Sequence, residues 1–235
     1  MKILIIGASG GIGFAMLKES LARYPSAQLH ATYHRTNAQW HHERVTWYQV
    51  DASNDSEVRL FSELFDDIDW VINCVGMLHT QDKGPEKSLS ELDSVFFQQV
   101  ITINTLPTIL LAKYFTPKFK KVTHPKFAVI SAKVGSISDN QLGGWYSYRA
   151  SKAALNMFIK TMSIEWQRIV KNGVVLTLHP GTTDTALSEP FQRNVPQAKL
   201  FTPEKVASDL IGLIESSTPQ ESGVFFAYNG ERLPW

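Results

Sequence analysis

Tyr148 and Lys152 stand four residues apart in the run Tyr148-Arg-Ala-Ser-Lys152. On a helix, positions i and i+4 share a face, so the ammonium is expected to stabilise a Tyr148 phenolate and draw its pKa down from about 10. That would make Tyr148 an acid/base near neutral pH. The spacing alone is weak, because a Tyr and a Lys so placed commonly form only a solvated stripe. The start of the chain adds weight: the apolar run Ile3-Leu4-Ile5-Ile6 leads directly into Gly7-Ala-Ser9-Gly10-Gly11-Ile12-Gly13 and then an apolar helical pattern. A strand, a glycine turn and a helix N-terminus together form an anion site, in which backbone N–H groups and the helix dipole meet a pyrophosphate.

The elements that must position these groups alternate along the chain. Strand patterns fall at Lys2 to Ile6, Gln28 to Tyr33, Val45 to Val50, Trp70 to Cys74, Lys126 to Ser131, Val174 to His179 and Gly223 to Ala227. Helical patterns lie between them at Gly11 to Arg23, Asp55 to Phe65, Ser90 to Phe115, Tyr148 to Val170 and Pro203 to Ser216. This predicts a doubly wound α/β fold of the Rossmann type, a seven-stranded parallel sheet in one domain spanning 1–235. Ser88 with Glu91 reads as a capping box for the third helix, and Thr202 with Pro203 as the start of the last.

With 235 residues, 43% of them hydrophobic, the chain can bury a sizeable core. A formal net charge of +1 gives no electrostatic footprint for nucleic acid or an anionic membrane, so a small-molecule ligand is expected. The single cysteine, Cys74, fits a cytoplasmic location and a core thiol. No leader precedes the first strand, and the longest apolar stretch is interrupted by Asn104, Pro107 and Lys113, so neither secretion nor a membrane span is expected. The seven histidines show no ligand spacing that calls for a metal.

These motifs together resemble the short-chain dehydrogenase/reductase family over nearly the whole chain, and most closely its C-factor-like branch. Gly7, Gly11 and Gly13 match the family's glycine turn, Asp51 its adenine-contacting acid, and Asn73-Cys-Val-Gly76, in part, its motif after the fourth strand. Asn104 matches the helix asparagine of its proton relay, and Pro180, Gly181 and Thr185 its nicotinamide-side motif. The resemblance implies hydride transfer between a nicotinamide and a carbonyl or alcohol carbon, with Tyr148 exchanging the proton. Lys152 would hold the ribose hydroxyls, Asn104 a relay water, and the backbone around Thr183 the carboxamide; Ser9, Ile12, Asn73 and Gly76 complete the implied cofactor contacts.

One catalytic position departs from the family. Its substrate-polarising serine, three residues before a glycine, is Ala132 here. Ser136 is favoured as the replacement, Ser131 is the alternative, and catalysis without a serine, as in dihydropteridine reductases, is the third reading. At the end of the second strand, His34-Arg35 stands where an acid would select a ribose 2′-hydroxyl, so Arg35 is expected to meet a 2′-phosphate and NADP to be preferred over NAD. Thr182 to Lys199 reads as a substrate lid carrying Leu187 and Phe191, with packing beneath the loop the favoured role for both. The resemblance implies a homodimer or homotetramer, with Trp145, Phe158 and Trp166 serving its interface or the core. Two function classes are open: an NADPH-dependent reductase, and a dinucleotide-binding signalling or sensor protein.

Overall fold

Alternate residues of the first strand, β1 (Lys2–Ile6), are buried against opposite sides of one sheet, and this divides the molecule into three layers. The computed structural model describes residues 1–36 and 40–235. Ile3 and Ile5 pack beneath α1 (Gly11–Arg23) and α5 (Pro203–Ser216), against Met16, Leu17, Leu210 and Ile214. Leu4 and Ile6 face the opposite layer of α2 (Asp55–Ser62), α3 (Ser94–Phe119) and α4 (Tyr146–Ile169), against Phe61, Phe115, Phe119 and Trp166. A strand covered on both faces needs an unbroken apolar run, which is what residues 3–6 supply.

The sheet also contains β2 (Gln28–Tyr33), β3 (Val45–Gln49), β4 (Trp70–Asn73), β5 (Lys126–Ile130), β6 (Val174–His179) and, after two short strands outside it, β9 (Val224–Ala227). Its order is β3-β2-β1-β4-β5-β6-β9, all parallel, with Ile3 level with both Leu29 and Trp70. The chain winds outward from β1 in both directions, so a crevice opens at the carboxyl ends of β1 and β4, where such sheets bind ligands. The two short strands, β7 (Thr182–Thr183) and β8 (Leu200–Phe201), pair beside this crevice and tie both ends of the expected lid together.

The third helix begins four residues later than its sequence pattern suggests. Ser88 and Glu91 belong to a separate 3-10 turn at Leu89–Glu91, where Ser88 makes no side-chain cap and Glu91 accepts the Lys87 N–H instead. Asp93 is the true cap, accepting the Phe96 N–H at 2.7 Å, and the helix runs through Pro107 and Pro117 to Phe119. In length and apolarity alone α3 is sufficient to cross a membrane. In this fold it buries Val100, Leu111 and Phe115 in the core. Thr202 caps α5 as expected, accepting the Lys205 N–H.

Candidate active site

The glycine turn is built by close approach. Gly7 sits at φ +73°, where a side chain is strained, and its N–H donates to Thr32 Oγ1 at 3.0 Å while Ala8 N–H donates to the Thr32 carbonyl. A Cβ on Gly13 would collide with the Gly7 carbonyl, so only glycine lets α1 start directly over the end of β1. Gly10 caps α1 in an extended conformation with no side-chain bond, leaving the first-turn amides without a side-chain acceptor at the crevice. A cradle with such amides, and with no room for side chains, fits a dinucleotide pyrophosphate.

Two adjoining cavities meet at Val75. The first, of about 270 Å³, is lined by Ile12, Gly76, Ser131, Tyr148 and Lys152, together with Pro180, Gly181, Thr183 and Thr185. The second is lined by Gly7, Ser9, Thr32, His34, Arg35 and Asp51. The chain thus brings the glycine turn, the Tyr–Lys pair and the segment after β6 around one crevice. Asp51 accepts from the Ser53 hydroxyl and amide and lies 3.7 Å from His34 Nε2; burial works to raise its pKa, but these bonds and the His34 and Arg35 charges hold it lowered.

The Tyr–Lys pair shares a face, but its electrostatics correct the expected acidification. Lys152 Nζ lies 5.7 Å from the Tyr148 ring centroid and donates to the Ile130 carbonyl at 3.1 Å. Burial dominates both groups: it pushes the Tyr148 phenol up and brings Lys152 down to about 8, with Cys74 opposing the latter shift. The i,i+4 spacing fixed the face without revealing how deeply the ring would be buried.

Two further expectations, for Asn73 and Ser136, need correcting, and the Asn104 side chain is engaged with the protein around it. Asn104 does share the neighbourhood of Lys152 across Gly76, but its amide donates to the Met77 carbonyl and Ser151 Oγ, while its oxygen accepts the Met77 N–H. Both amide hydrogens are therefore committed, and the side chain acts as a clamp. Asn73 faces inward, donating to Thr108 Oγ1 and accepting the Val75 N–H, so it shapes the bend after β4 without lining the crevice. Ser136 is buried outside the cavity wall, its hydroxyl accepting the Asp139 N–H at 3.1 Å after a 3-10 turn carries it away. Ser131 does line the cavity, with its hydroxyl donating to Asn156 Oδ1 at 2.6 Å.

One residue that sequence reasoning passed over, and three that it named for other roles, complete the site. His179 ends β6 and lines the cavity; burial, with a smaller push from Lys133 against a pull from Asp139, lowers its pKa to about 4 and keeps it neutral. Trp145 packs edge-on against Tyr148 and Phe191, with ring centroids 6.1 and 5.3 Å apart. Phe191 and Leu187 both line the cavity, and Phe191 also packs against the apolar cluster around Tyr148. Trp166 lies in the core, Phe158 is packed against it, and Trp145 belongs to the cavity. Only His179 gave no signal in the sequence, because its part in the wall depends on which distant segments fold around the end of β6.

The family model for short chain dehydrogenases matches residues 1–196. The chain belongs to that family. As a short-chain dehydrogenase it is an oxidoreductase, and it is 30% identical to C-signal of Myxococcus xanthus over 72% of its length and 93% of that protein. It is 28% identical to benzil reductase ((S)-benzoin forming) of Bacillus subtilis, covering 92% of this chain and 93% of the relative. In fold it is similar to the NADPH-bound carbonyl reductase from chicken fatty liver, with a TM-score of 0.87 and 21% identity over 100% of this chain and 94% of that one.

Proposed function

We propose that this short-chain dehydrogenase reduces an uncharged, apolar carbonyl compound with NADPH, and that Tyr148 delivers the proton. The observation that carries the reading is Tyr148 itself, held protonated by burial at the wall of a crevice that continues to the glycine cradle. A protonated phenol is the form needed to donate to a developing alkoxide. The nicotinamide would supply the hydride when bound.

The first-turn amides of α1 would meet the pyrophosphate, Asp51 the adenine end, and Arg35, exposed at the rim, a 2′-phosphate. Lys152 would hold the ribose hydroxyls, and the Thr183 backbone with Pro180, Gly181 and Thr185 would orient the ring beside Tyr148. Tyr148 would donate its proton to the substrate oxygen as that oxygen gains charge, and solvent would restore the phenol. Ser131, beside Ala132 in the wall, would be the serine facing that oxygen. Most of the rate would come from positioning.

The choice of substrate rests on the walls. Trp145, Phe191, Leu78, Val134 and Leu187 give an apolar, aromatic enclosure, and Lys133 in the same wall is paired with Asp139 at 3.2 Å. Aryl ketones and diketones suit such walls, a class to which the substrate named for the Bacillus subtilis relative belongs. The 182–199 segment would act as the lid, with Phe191 closing on Trp145. A homodimer or homotetramer is part of the proposal, with Met157 and Ile164, exposed on α4, as apolar contacts. The test is a panel of aryl and aliphatic carbonyl compounds with NADPH and NADH, followed at the nicotinamide absorbance. Turnover confined to NADH, or to anionic substrates, would overturn the reading. The similarity to C-signal supports a second reading, a dinucleotide-binding signalling protein, which requires cofactor binding without turnover.

A further inference from the structure

Helix α4 carries Tyr148 but does not cap its own N-terminus. Its cap residue, Trp145, has φ 54° and offers no side-chain bond, and Gly143 and Gly144 before it also have positive φ. The cap comes from another segment. Glu86, between β4 and α3, is only 3% exposed, and both its carboxylate oxygens are spent on Ser147. Oε2 accepts the Ser147 N–H at 3.1 Å and Oε1 accepts the Ser147 hydroxyl. Its backbone carbonyl accepts the Trp145 N–H at 2.5 Å.

Two donors converging on one carboxyl group suit the ionised form, which only accepts. A buried anion is costly without compensation, and the positive end of the α4 dipole supplies it here. Arg149 secures the other side of the turn, donating to the carbonyls of Gly144, Val134 and Gly143. Tyr148 is the residue next to Ser147, so whatever fixes the Ser147 amide fixes the root of the phenol. Glu86 also belongs to the segment that contributes Leu78 to the cavity wall, so one carboxylate joins the substrate side to the acid/base helix.

We propose that Glu86 is a positioning residue for the proton-transfer step: its carboxylate caps α4 from outside the helix, holds Tyr148 against the cavity and supplies the negative charge at that helix end. The proposal rests on the reading of Tyr148 as the proton donor. The other titratable or charged groups around the Tyr148 cavity are Lys152 on α4, Cys74 after β4, Lys133 after β5 and His179 at the end of β6, and substituting Glu86 leaves all of them in place.

The experiment compares wild type, Glu86→Gln and Tyr148→Phe as full chains, with NADPH and benzil. Glu86→Gln keeps the shape and removes the charge, so the NADPH Kd should stay within about twofold while kcat falls about tenfold through misplacement of the phenol. With the anion gone, the Lys152 ammonium loses a nearby negative charge, and the alkaline limb of kcat, which reports Lys152, should move to lower pH by roughly half a unit. A purely structural role would lower thermal stability and leave that limb in place, and this result overturns the proposal, as does an unchanged kcat. Turnover surviving in Tyr148→Phe sinks the proton-donor reading itself. Should Glu86→Gln not fold, Ser147→Ala keeps the charge and removes one of its two bonds: kcat should drop several-fold with the limb unmoved, and an unchanged kcat again overturns the proposal.

Discussion

Replacing Tyr148 by Phe separates the chemistry from the fold because of how the ring is held. The ring packs with Met77, Leu78, Phe96 and Val100 and stands edge-on to Trp145, all contacts that phenylalanine keeps. Among the described residues no hydrogen bond reaches the phenol oxygen, so its removal orphans no partner, and stability should change by no more than about 0.5 kcal/mol. NADPH affinity, set at the glycine cradle and Lys152, should also survive. Loss of a general acid costs about 10²–10⁴ in rate, or about 2.7–5.5 kcal/mol of barrier. Stopped-flow oxidation of bound NADPH by an aryl diketone measures this directly, with fluorescence titration of NADPH as the control. A variant within threefold of wild-type rate would refute the assignment. The wild-type rate should be flat through neutrality, since burial keeps the phenol protonated. A fall near pH 8 would report Lys152, whose pKa burial brings to about 8, and should appear in the KM for NADPH as well.

Arg35→Ala is expected to lower the NADPH to NADH affinity ratio by about 10–100-fold, the worth of charge-assisted bonds to a phosphate; an unchanged ratio removes Arg35 from the 2′-site. Ser131→Ala should slow turnover, whereas Ser136→Ala should cost only about 0.5–1.5 kcal/mol of stability through its lost bond to the Asp139 amide; the reverse order in kcat would contradict the observed geometry. His179 ties stability to pH. Its folded pKa of about 4 lies below the unfolded value of about 6.5, so the folded chain binds fewer protons in that interval. The contribution is therefore fully present above pH ~6.5 and is lost as pH falls toward 4, by on the order of 1–3 kcal/mol after allowing for partial exposure of the ring. Urea midpoints of wild type and His179→Gln should diverge across that window; His30, also lowered by burial, affects both proteins alike.

The sheet was legible because every central strand is covered on both faces. Residues 2–6, 28–33 and 174–179 end where their apolar runs end, and the structure places those boundaries at the same residues. Helix starts were legible only where the capping chemistry is local. Thr202 with Pro203 marked α5 correctly, whereas Ser88 with Glu91 presented the same signal for a turn that stops before α3 begins. The two patterns differ in the residues on their C-terminal side: Asp93 sits closer to the apolar run and takes the Phe96 amide. A capping motif names a possible start, and competition between neighbouring caps decides which one is used.

At the site, sequence identified residue types and faces but not depth. The four-residue spacing put Tyr148 and Lys152 on one side of α4, and from spacing alone an ammonium beside a phenol should make the phenol acidic. Burial reverses that sign, since the same low-dielectric wall that raises the phenol also lowers the lysine and leaves both closer to neutral. Ser136 failed for a related reason: it lies one turn beyond Ala132, but that turn points into the protein and away from the crevice. Glu86 lies 62 residues from Tyr148 in the chain, and no spacing rule spans such a distance. What joins them is that the α4 N-terminus, approached through three left-handed residues, has no acceptor of its own, so the buried amide at Ser147 must find one elsewhere. An unsatisfied local requirement of this kind can be read from the sequence as a question, and only the fold supplies the residue that answers it.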